Sequence, residues 1–507
     1  MEPPSVLPSL RPSYYSSLSL LTLFFAVFFL CLDFMKRRKR WRGYPPGPPS
    51  LPFLGNMLQV DFSNPAVSFD KLRKKYGNIF SLQFCWTNVV VLNEFVVMKE
   101  ALINKSEDIA DRPPFPIFEH LGFQEHSEGL LVARYGRAWK EQRRFSLATL
   151  RNFGLGKKSL EERIREEAGF LCSEFASEEG HPFDPHFVIN NAVSNVICSI
   201  TFGDRFEYVD NKFRRLLHLF EESLKAETGF LPQILNVVPA LVHIPGLVGK
   251  LFQPEKELLK FIRDSAEEHK ATRDPSVVRD LIDAFLEEIE KARDDPKSSF
   301  NEDNLPFTTV DIFAAGTETT STTLRWGLLF MLLYPDIQNQ VHQEIDQVIG
   351  QNRRPVMEDQ ASMPFTNAVI HETQRYGDIL PVALPHMAYR DTWIQGFFIP
   401  KGTTVITNLS SVLKDETVWE KPHQFYPQHF LDKDGNFVKR EAFMAFSAGR
   451  RVCLGEQLAK MELFLFFTTL LQSFTFTSPE GQPGPKEDAI FALTRSPYSY
   501  QICATMR

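Results

Sequence analysis

Apolar positions recur at helical spacing through most of the chain, and Pro or Gly interrupts the pattern between segments. The periodicity predicts helices over 159–177, 212–226, 255–269, 278–293, 307–333, 337–350, 367–376 and 456–473. Alternating positions are confined to short stretches. Residues 79–93, with Phe80, Leu82, Phe84, Val89, Val90, Val91 and Leu92 flanking a turn at Trp86-Thr-Asn88, predict a β-hairpin, and 393–399 and 403–407 predict short strands. No internal repeat is present. The pattern is that of a mainly α protein with small β-sheets.

One apolar segment differs from the rest. Residues 14–32 carry no charge and are rich in Leu and Phe. At ~1.5 Å per residue they would make a helix of about 28 Å, close to the thickness of a hydrocarbon core. Asp33 follows, then Lys36, Arg37, Arg38, Lys39, Arg40 and Arg42, whereas Arg11 alone is basic ahead of the run. Basic residues stay on the cytosolic side, so the bulk of the chain is predicted to be cytosolic. A cleaved signal would carry its charges before the apolar run, so a retained single transmembrane helix is the expectation. Tyr44-Pro-Pro-Gly-Pro-Pro-Ser50 is a semi-rigid hinge. The predicted organisation is a membrane anchor and stop-transfer segment over 1–43 and one globular body over 44–507.

Composition narrows the class of that body. Of 507 residues, 43% are hydrophobic and 46 are Phe, which suits a large aromatic-rich core able to enclose a cavity. A net charge of -7 gives no case for nucleic acid. The six cysteines lack both zinc-type spacing and a disulfide framework. Cys453 stands apart by its surroundings.

It lies in Phe446-Ser-Ala-Gly-Arg-Arg-Val-Cys-Leu-Gly455, just ahead of the predicted 456–473 helix. Gly449 and Gly455 would let this loop turn sharply and pass close to a flat group, and Arg451 is placed to meet an anion. Unpaired N–H groups at the helix start should lower the thiol pKa, as an iron-ligating thiolate requires. The predicted 307–333 helix contains Asp311-Ile-Phe-Ala-Ala-Gly-Thr-Glu-Thr-Thr320, unusual content for a buried segment. Gly316 would leave space on that helix, and Glu318 and Thr319 form an acid–alcohol pair suited to supplying protons. Glu372 and Arg375 lie three apart on one helical face, and Trp139 and Arg143 one turn apart on another.

The loop pattern Phe-x-x-Gly-x-Arg-x-Cys-x-Gly, with Glu372-x-x-Arg375, the 425–430 turn and Trp139-x-x-x-Arg143, resembles the cytochromes P-450. The likeness extends over essentially the whole chain. Residues 110–114, 139–152, 154–160, 406–415 and 462–467 resemble microsomal family 2, most of all the 2D subfamily. That resemblance implies the cytochrome P-450 fold and haem b with Cys453 as axial thiolate. It places Arg112, Trp139, Arg143, His386 and Arg451 at the haem propionates. Glu372 and Arg375 would lock the core, with His429 standing where the superfamily usually has Arg. Asp311 and Glu227 match acids that attract the ammonium of lipophilic amines, and Leu131, Phe230, Leu384, Phe491 and Leu493 match pocket walls.

The implied activity is monooxygenation at the endoplasmic reticulum membrane, with the catalytic body on the cytoplasmic side. No dinucleotide-binding glycine motif is present, so electrons would come from NADPH-cytochrome P-450 reductase, with cytochrome b5 as a second donor. Arg134, Arg137, Lys140 and Arg144 are a candidate docking face. A haem-thiolate isomerase would share the fold but commonly lacks the acid–alcohol pair. A non-catalytic haem sensor would have no use for it.

Overall fold

The computed structural model describes residues 12–38, 41–154, 158–227, 230–244, 246–481, 483–492 and 494–507. Its longer helices, in chain order, are α1 (Pro12–Arg38), α2 (Pro65–Tyr76), α3 (Arg137–Asn152), α4 (Lys158–Ser177), α5 (His186–Thr201) and α6 (Asn211–Glu227). There follow α7 (Gln253–Thr272), α8 (Leu281–Lys291), α9 (Asn304–Leu333), α10 (Pro335–Val348), α11 (Pro364–Gly377) and α12 (Glu456–Ser473). The strands are β1 (Ile79–Phe84), β2 (Thr87–Leu92), β3 (His386–Met387), β4 (Thr392–Ile394), β5 (Phe397–Ile399), β6 (Thr404–Thr407), β7 (Phe474–Thr477), β8 (Ala489–Phe491), β9 (Arg495–Pro497) and β10 (Cys503–Met506). The mainly α reading with small sheets holds.

Every helix predicted from periodicity forms, with ends moved by a few residues. The 278–293 segment contracts to α8 because Asp280 caps it, accepting the Asp283 N–H at 2.9 Å. The 393–399 segment is two strands, β4 and β5, folded back through Gln395 and Gly396, both at positive φ. In the β1–β2 hairpin the turn falls on Cys85 and Trp86, so Thr87 and Asn88 belong to β2. Helix α5 was not predicted. Its sequence, His-Phe-Val-Ile-Asn-Asn-Ala-Val-Ser-Asn-Val-Ile-Cys-Ser-Ile-Thr, is β-branched and buried from Ala192 to Thr201, so no solvated face marks a helical period.

The main sheet has strand order β1-β2-β6-β3. β1 and β2 pair antiparallel, and β2 then runs parallel to β6, with Val89 opposite Thr404. Helix α9 crosses the core and packs against α5, α7, α11 and α12. Phe313, Trp326, Leu328, Leu329, Phe330 and Met331 of α9 are buried, as are Leu463, Phe464, Leu465 and Phe466 of α12. Each such side chain contributes about 1.5–3 kcal/mol of apolar burial, which fixes α9 and the start of α12 relative to one another. Of α1, side chains are described over 19–35, where Leu20, Leu23, Phe24, Phe25, Phe28 and Phe29 are exposed. Among the described residues no helix is long and apolar enough to cross a membrane.

Candidate active site

The Cys453 loop is built by hydrogen bonds to its own backbone and to a neighbouring turn. The Cys453 N–H donates to Phe446 O at 3.0 Å and the Val452 N–H to Gly449 O at 3.2 Å. Gly449 has φ +76°, and a Cβ there would overlap the Leu102 carbonyl. The Arg450 N–H donates to Ser106 Oγ at 2.6 Å, pinning the loop beside that carbonyl. Gly449 is therefore required by protein packing. Gly455 is uncrowded at φ -88°.

The thiol of Cys453 is accessible even though protein surrounds it on most sides. Burial pushes its pKa up, and the N–H groups of Gly455 and Glu456 pull it back only in part. The sequence-based expectation of a lowered thiol pKa is thus overturned: desolvation outweighs the helix terminus.

Four basic side chains converge beside this loop. Arg112 donates to Leu131 O at 3.0 Å, Leu384 O at 2.7 Å and Pro385 O at 2.8 Å. Arg451 donates to Ala110 O at 2.8 Å and Ala133 O at 2.7 Å, and its guanidinium lies 4.2 Å from the Trp139 ring centroid. Arg143 donates to Val452 O at 2.8 Å, and His386 Nδ1 lies 3.0 Å from Ile109 O. Asp111, the nearby carboxylate, is spent on Arg134 at 2.7 Å and on the N–H groups of Arg112 and Tyr135. Burial lowers Arg112 to about 10; burial and Arg112 together lower Arg451 to about 8, and His386 falls well below its ordinary value. Arg451 Nη1 is buried without a hydrogen-bond partner. An accessible thiol flanked by this excess of positive charge and an orphaned donor fits a planar iron macrocycle with anionic carboxylates.

Helix α9 carries a second group of the expected site residues. Ala315 is exposed although α9 is otherwise largely buried, so a hollow opens beside it. Thr319 Oγ1 donates to Ala315 O at 2.7 Å. Gly316 does not face the hollow: a Cβ there would meet Ile197 Cδ1 of α5 at 2.5 Å, so this glycine serves helix packing. Glu318 is not paired with Thr319. Its Oε1 accepts from Thr494 Oγ1 at 2.7 Å and Thr322 Oγ1 at 3.2 Å, and Ser496 Oγ lies 3.2 Å from Thr494 Oγ1.

Asp311 sits one helical stretch earlier. Its Oδ2 accepts the N–H of Leu130 at 2.6 Å and of Leu131 at 2.9 Å. A Cβ on Gly129 would meet the same oxygen at 2.5 Å, which explains the glycine. Burial raises Asp311 to about 6 against the pull of those two N–H groups. Glu227, at the end of α6, is also pushed well up by burial, by Glu255 and by Asp311. Glu255 had no signal beyond an ordinary acid in a predicted helix. Leu131, Leu384 and Phe491 are half-buried. Leu493 lies outside the described residues, and of Phe230 only the backbone is described.

The Glu372–Arg375 pair is fully buried and bidentate, both contacts at 2.7 Å. Arg375 also donates to Leu413 O at 2.7 Å, Pro422 O at 2.9 Å and Gln424 O at 2.9 Å, so no donor direction is wasted. His429 Nδ1 lies 3.2 Å from Glu372 Oε2, and His429 Nε2 accepts the Lys421 N–H at 3.0 Å. A ring whose Nε2 accepts and whose Nδ1 donates is uncharged. The network therefore carries one guanidinium where the usual Arg would give it two.

The sequence profile described as Cytochrome P450 matches residues 45–504. Cytochrome P450 2D15 of Canis lupus familiaris is 57% identical over 95% of this chain and 97% of its own length. Cytochrome P450 2D6 of Homo sapiens is 58% identical over 96% and 98%, and the vitamin D(3) 25-hydroxylase of Sus scrofa 56% identical over 97% and 98%. These likenesses establish that the chain belongs to the cytochrome P450 family, within the 2D-like microsomal group, as a haem-thiolate monooxygenase whose haem takes an axial cysteine thiolate.

Proposed function

We propose that this monooxygenase acts on lipophilic molecules bearing a basic nitrogen, and that Asp311 holds the ammonium. The observation that carries the reading is the state of Asp311: Oδ2 is committed to two loop N–H groups, whereas Oδ1 takes no hydrogen bond among the described residues. One oxygen fixes the carboxylate and the other is left for a ligand. Haem, when bound, supplies the redox chemistry that activates O2 for insertion of one oxygen atom. Arg112, Trp139, Arg143, His386 and Arg451 hold its carboxylates. Thr319, hydrogen-bonded to Ala315 O, stands where protons are needed, and Glu318 serves as the acid reached through Thr322, Thr494 and Ser496. Replacing Asp311 by Asn should weaken a cationic ligand by about tenfold or more, the scale of one ion pair at partly screened depth, and leave a neutral isostere unchanged. Spectral titration of the two ligands measures this, and equal effects would make Asp311 purely structural.

Electrons reach the site from NADPH-cytochrome P-450 reductase, with cytochrome b5 as a second donor. The supporting surface is a cleft of about 400 Å³ lined by Tyr135, Arg137, Lys140, Glu141 and Arg144. Arg134 is bound to Asp111, and Arg137 to Glu141 and Asp295, so half of the candidate patch is internally neutralised. Lys140, 4.8 Å from the Tyr135 ring centroid, and the exposed Arg144 are the better docking charges.

The chain is anchored in the endoplasmic reticulum membrane by 14–32, with its body on the cytoplasmic side. Support comes from that apolar run and the bases after it. A second support is the contact of Asp33 Oδ2 with the Phe53 N–H at 3.2 Å, which ties the end of α1 to a loop exposing Leu51, Phe53 and Leu54. Phe53 in turn meets the exposed Trp86 edge-on at 6.3 Å.

A further inference from the structure

We propose that Glu462 is a positioning residue: held as a neutral acid, it joins α12, the helix that follows the Cys453 loop, to α9 at Thr320, and its ionisation loosens that loop's hold on the haem. The inference rests on Cys453 being the axial thiolate.

Glu462 lies on α12 at 0% exposure, between the buried apolar side chains of Met461 and Leu463. Both of its carboxyl oxygens are buried without a hydrogen-bond partner. The Thr320 hydroxyl of α9 lies beside the carboxyl and pulls its pKa down, yet satisfies neither oxygen. Thr320 is itself buried, and it follows Thr319 directly in the chain. Helices α9 and α12 otherwise meet through Leu, Phe and Gly, as where Gly327 faces Phe467. Apolar burial holds two helices together but is non-directional. A polar contact fixes which turn of one lies against which turn of the other.

No charged group answers Glu462. The buried charged groups of the elements packed on α12 are committed elsewhere. Glu167 of α4 binds Arg205 and Tyr208, and Arg325 of α9 donates to Pro497 O. On α10, Glu344 accepts the Phe365 and Thr366 N–H groups, and His342 Nε2 lies 3.2 Å from Phe474 O. Glu372 and Arg375 of α11 bind each other, and Asp359 binds Arg353. On α12 itself Glu456 pairs with Lys460.

An ionised carboxylate in such a place is strongly disfavoured, whereas a protonated one has an O–H that Thr320 Oγ1 can accept. Burial accordingly holds Glu462 up to about 8. Loss of its proton to solvent puts an unpaired charge between α9 and α12, which is relieved only when the helices part. The thiol loop would feel that movement, because it runs into α12 without a break: the Ala459 N–H donates to Gly455 O at 2.9 Å, and the Cys453 N–H to Phe446 O.

The experiment titrates the full-length holoenzyme with alkali. Infrared difference spectroscopy follows the carbonyl stretch of a protonated carboxyl, and the absorption of the reduced carbon monoxide adduct reports the axial thiolate. Wild type should lose the stretch and the thiolate-type spectrum together, half-way at about pH 8. Arg451 titrates in the same range, so the variants decide. Glu462→Gln, neutral throughout, should lack the stretch and keep the thiolate-type spectrum. Thr320→Val removes a hydroxyl that favours ionisation and should move both transitions to higher pH. The absence of any titrating stretch that Glu462→Gln abolishes, or loss of the thiolate-type spectrum at the same pH in wild type and Glu462→Gln, would overturn the proposal. Should Glu462→Gln yield no holoenzyme, Thr320→Val decides alone, and an unmoved transition would overturn it. Failure of Cys453 as axial ligand looks different: Cys453→Ser would then keep the thiolate-type spectrum.

Discussion

His429 and Asp311 each do something that their residue type alone would not announce. His429 replaces a second guanidinium by an uncharged ring that links Glu372 to the Lys421 backbone. Changing it to Phe removes both contacts inside a buried cluster. We expect a loss of about 1–3 kcal/mol, the cost of a buried polar group left unpaired, read as faster haem release on heating at unchanged ligand affinity. For Asp311, the carboxyl stays protonated to about pH 6, with Glu227 on α6, Glu255 on α7 and the Leu130 and Leu131 N–H groups facing it. Amine affinity should therefore rise as pH rises through about 6, and the neutral isostere should not follow; Asp311→Asn should flatten this limb of the profile. The same shift acts oppositely on stability. The folded carboxyl binds its proton more tightly than the unfolded value of 3.8, so its contribution is lost as pH climbs from 3.8 towards 6. Residues whose role depends on local spacing, such as Cys453, Glu372 with Arg375 and Trp139 with Arg143, were legible in the sequence. Glu255 was not, because its influence on Glu227 arises only where α7 packs against α6.

Among elements, most helices with one polar face were readable; α2 was missed, and so was α5. Its buried residues, from Ala192 to Thr201, leave no contrast for periodicity to register. The same limitation misplaced Gly316, which answers to Ile197 on α5, and hid the contact of Gly449 with Leu102, neither of which is near it in sequence. The Glu318 environment is also inter-element. An adjacent acid and alcohol on a helix point in different directions, about 100° apart, so Thr319 turns to Ala315 O while Glu318 reaches the β8–β9 hairpin. Thr494→Val should therefore impair Glu318. We expect coupling of reductant consumption to product to fall by about two- to fivefold, the scale of a weakened acid–base relay, with ligand affinity unchanged. Glu318→Gln should produce the same phenotype, and the double variant should be no worse than either single one.

For the whole molecule, surface charge was legible as composition but not as availability. Six Arg and Lys positions near α3 look alike in sequence, yet Arg134, Arg137 and Arg143 are engaged by Asp111, Glu141 with Asp295, and Val452 O. Reversing Lys140 and Arg144 to Glu should slow reductase-supported turnover by about tenfold at low salt, an effect that fades as salt screens the encounter. Turnover driven by an organic peroxide should be spared. The parallel pairing of β2 with β6 has a further consequence for how the molecule comes into being. Val90 meets Val405, and the Leu102 carbonyl meets Gly449, so early and late parts of the chain interlock. During synthesis β2 emerges with one flank unpaired and stays so until most of the polypeptide has left the ribosome. The nascent enzyme must therefore be kept from aggregating through nearly its entire translation, and the thiol loop can be shaped for its cofactor only at the end.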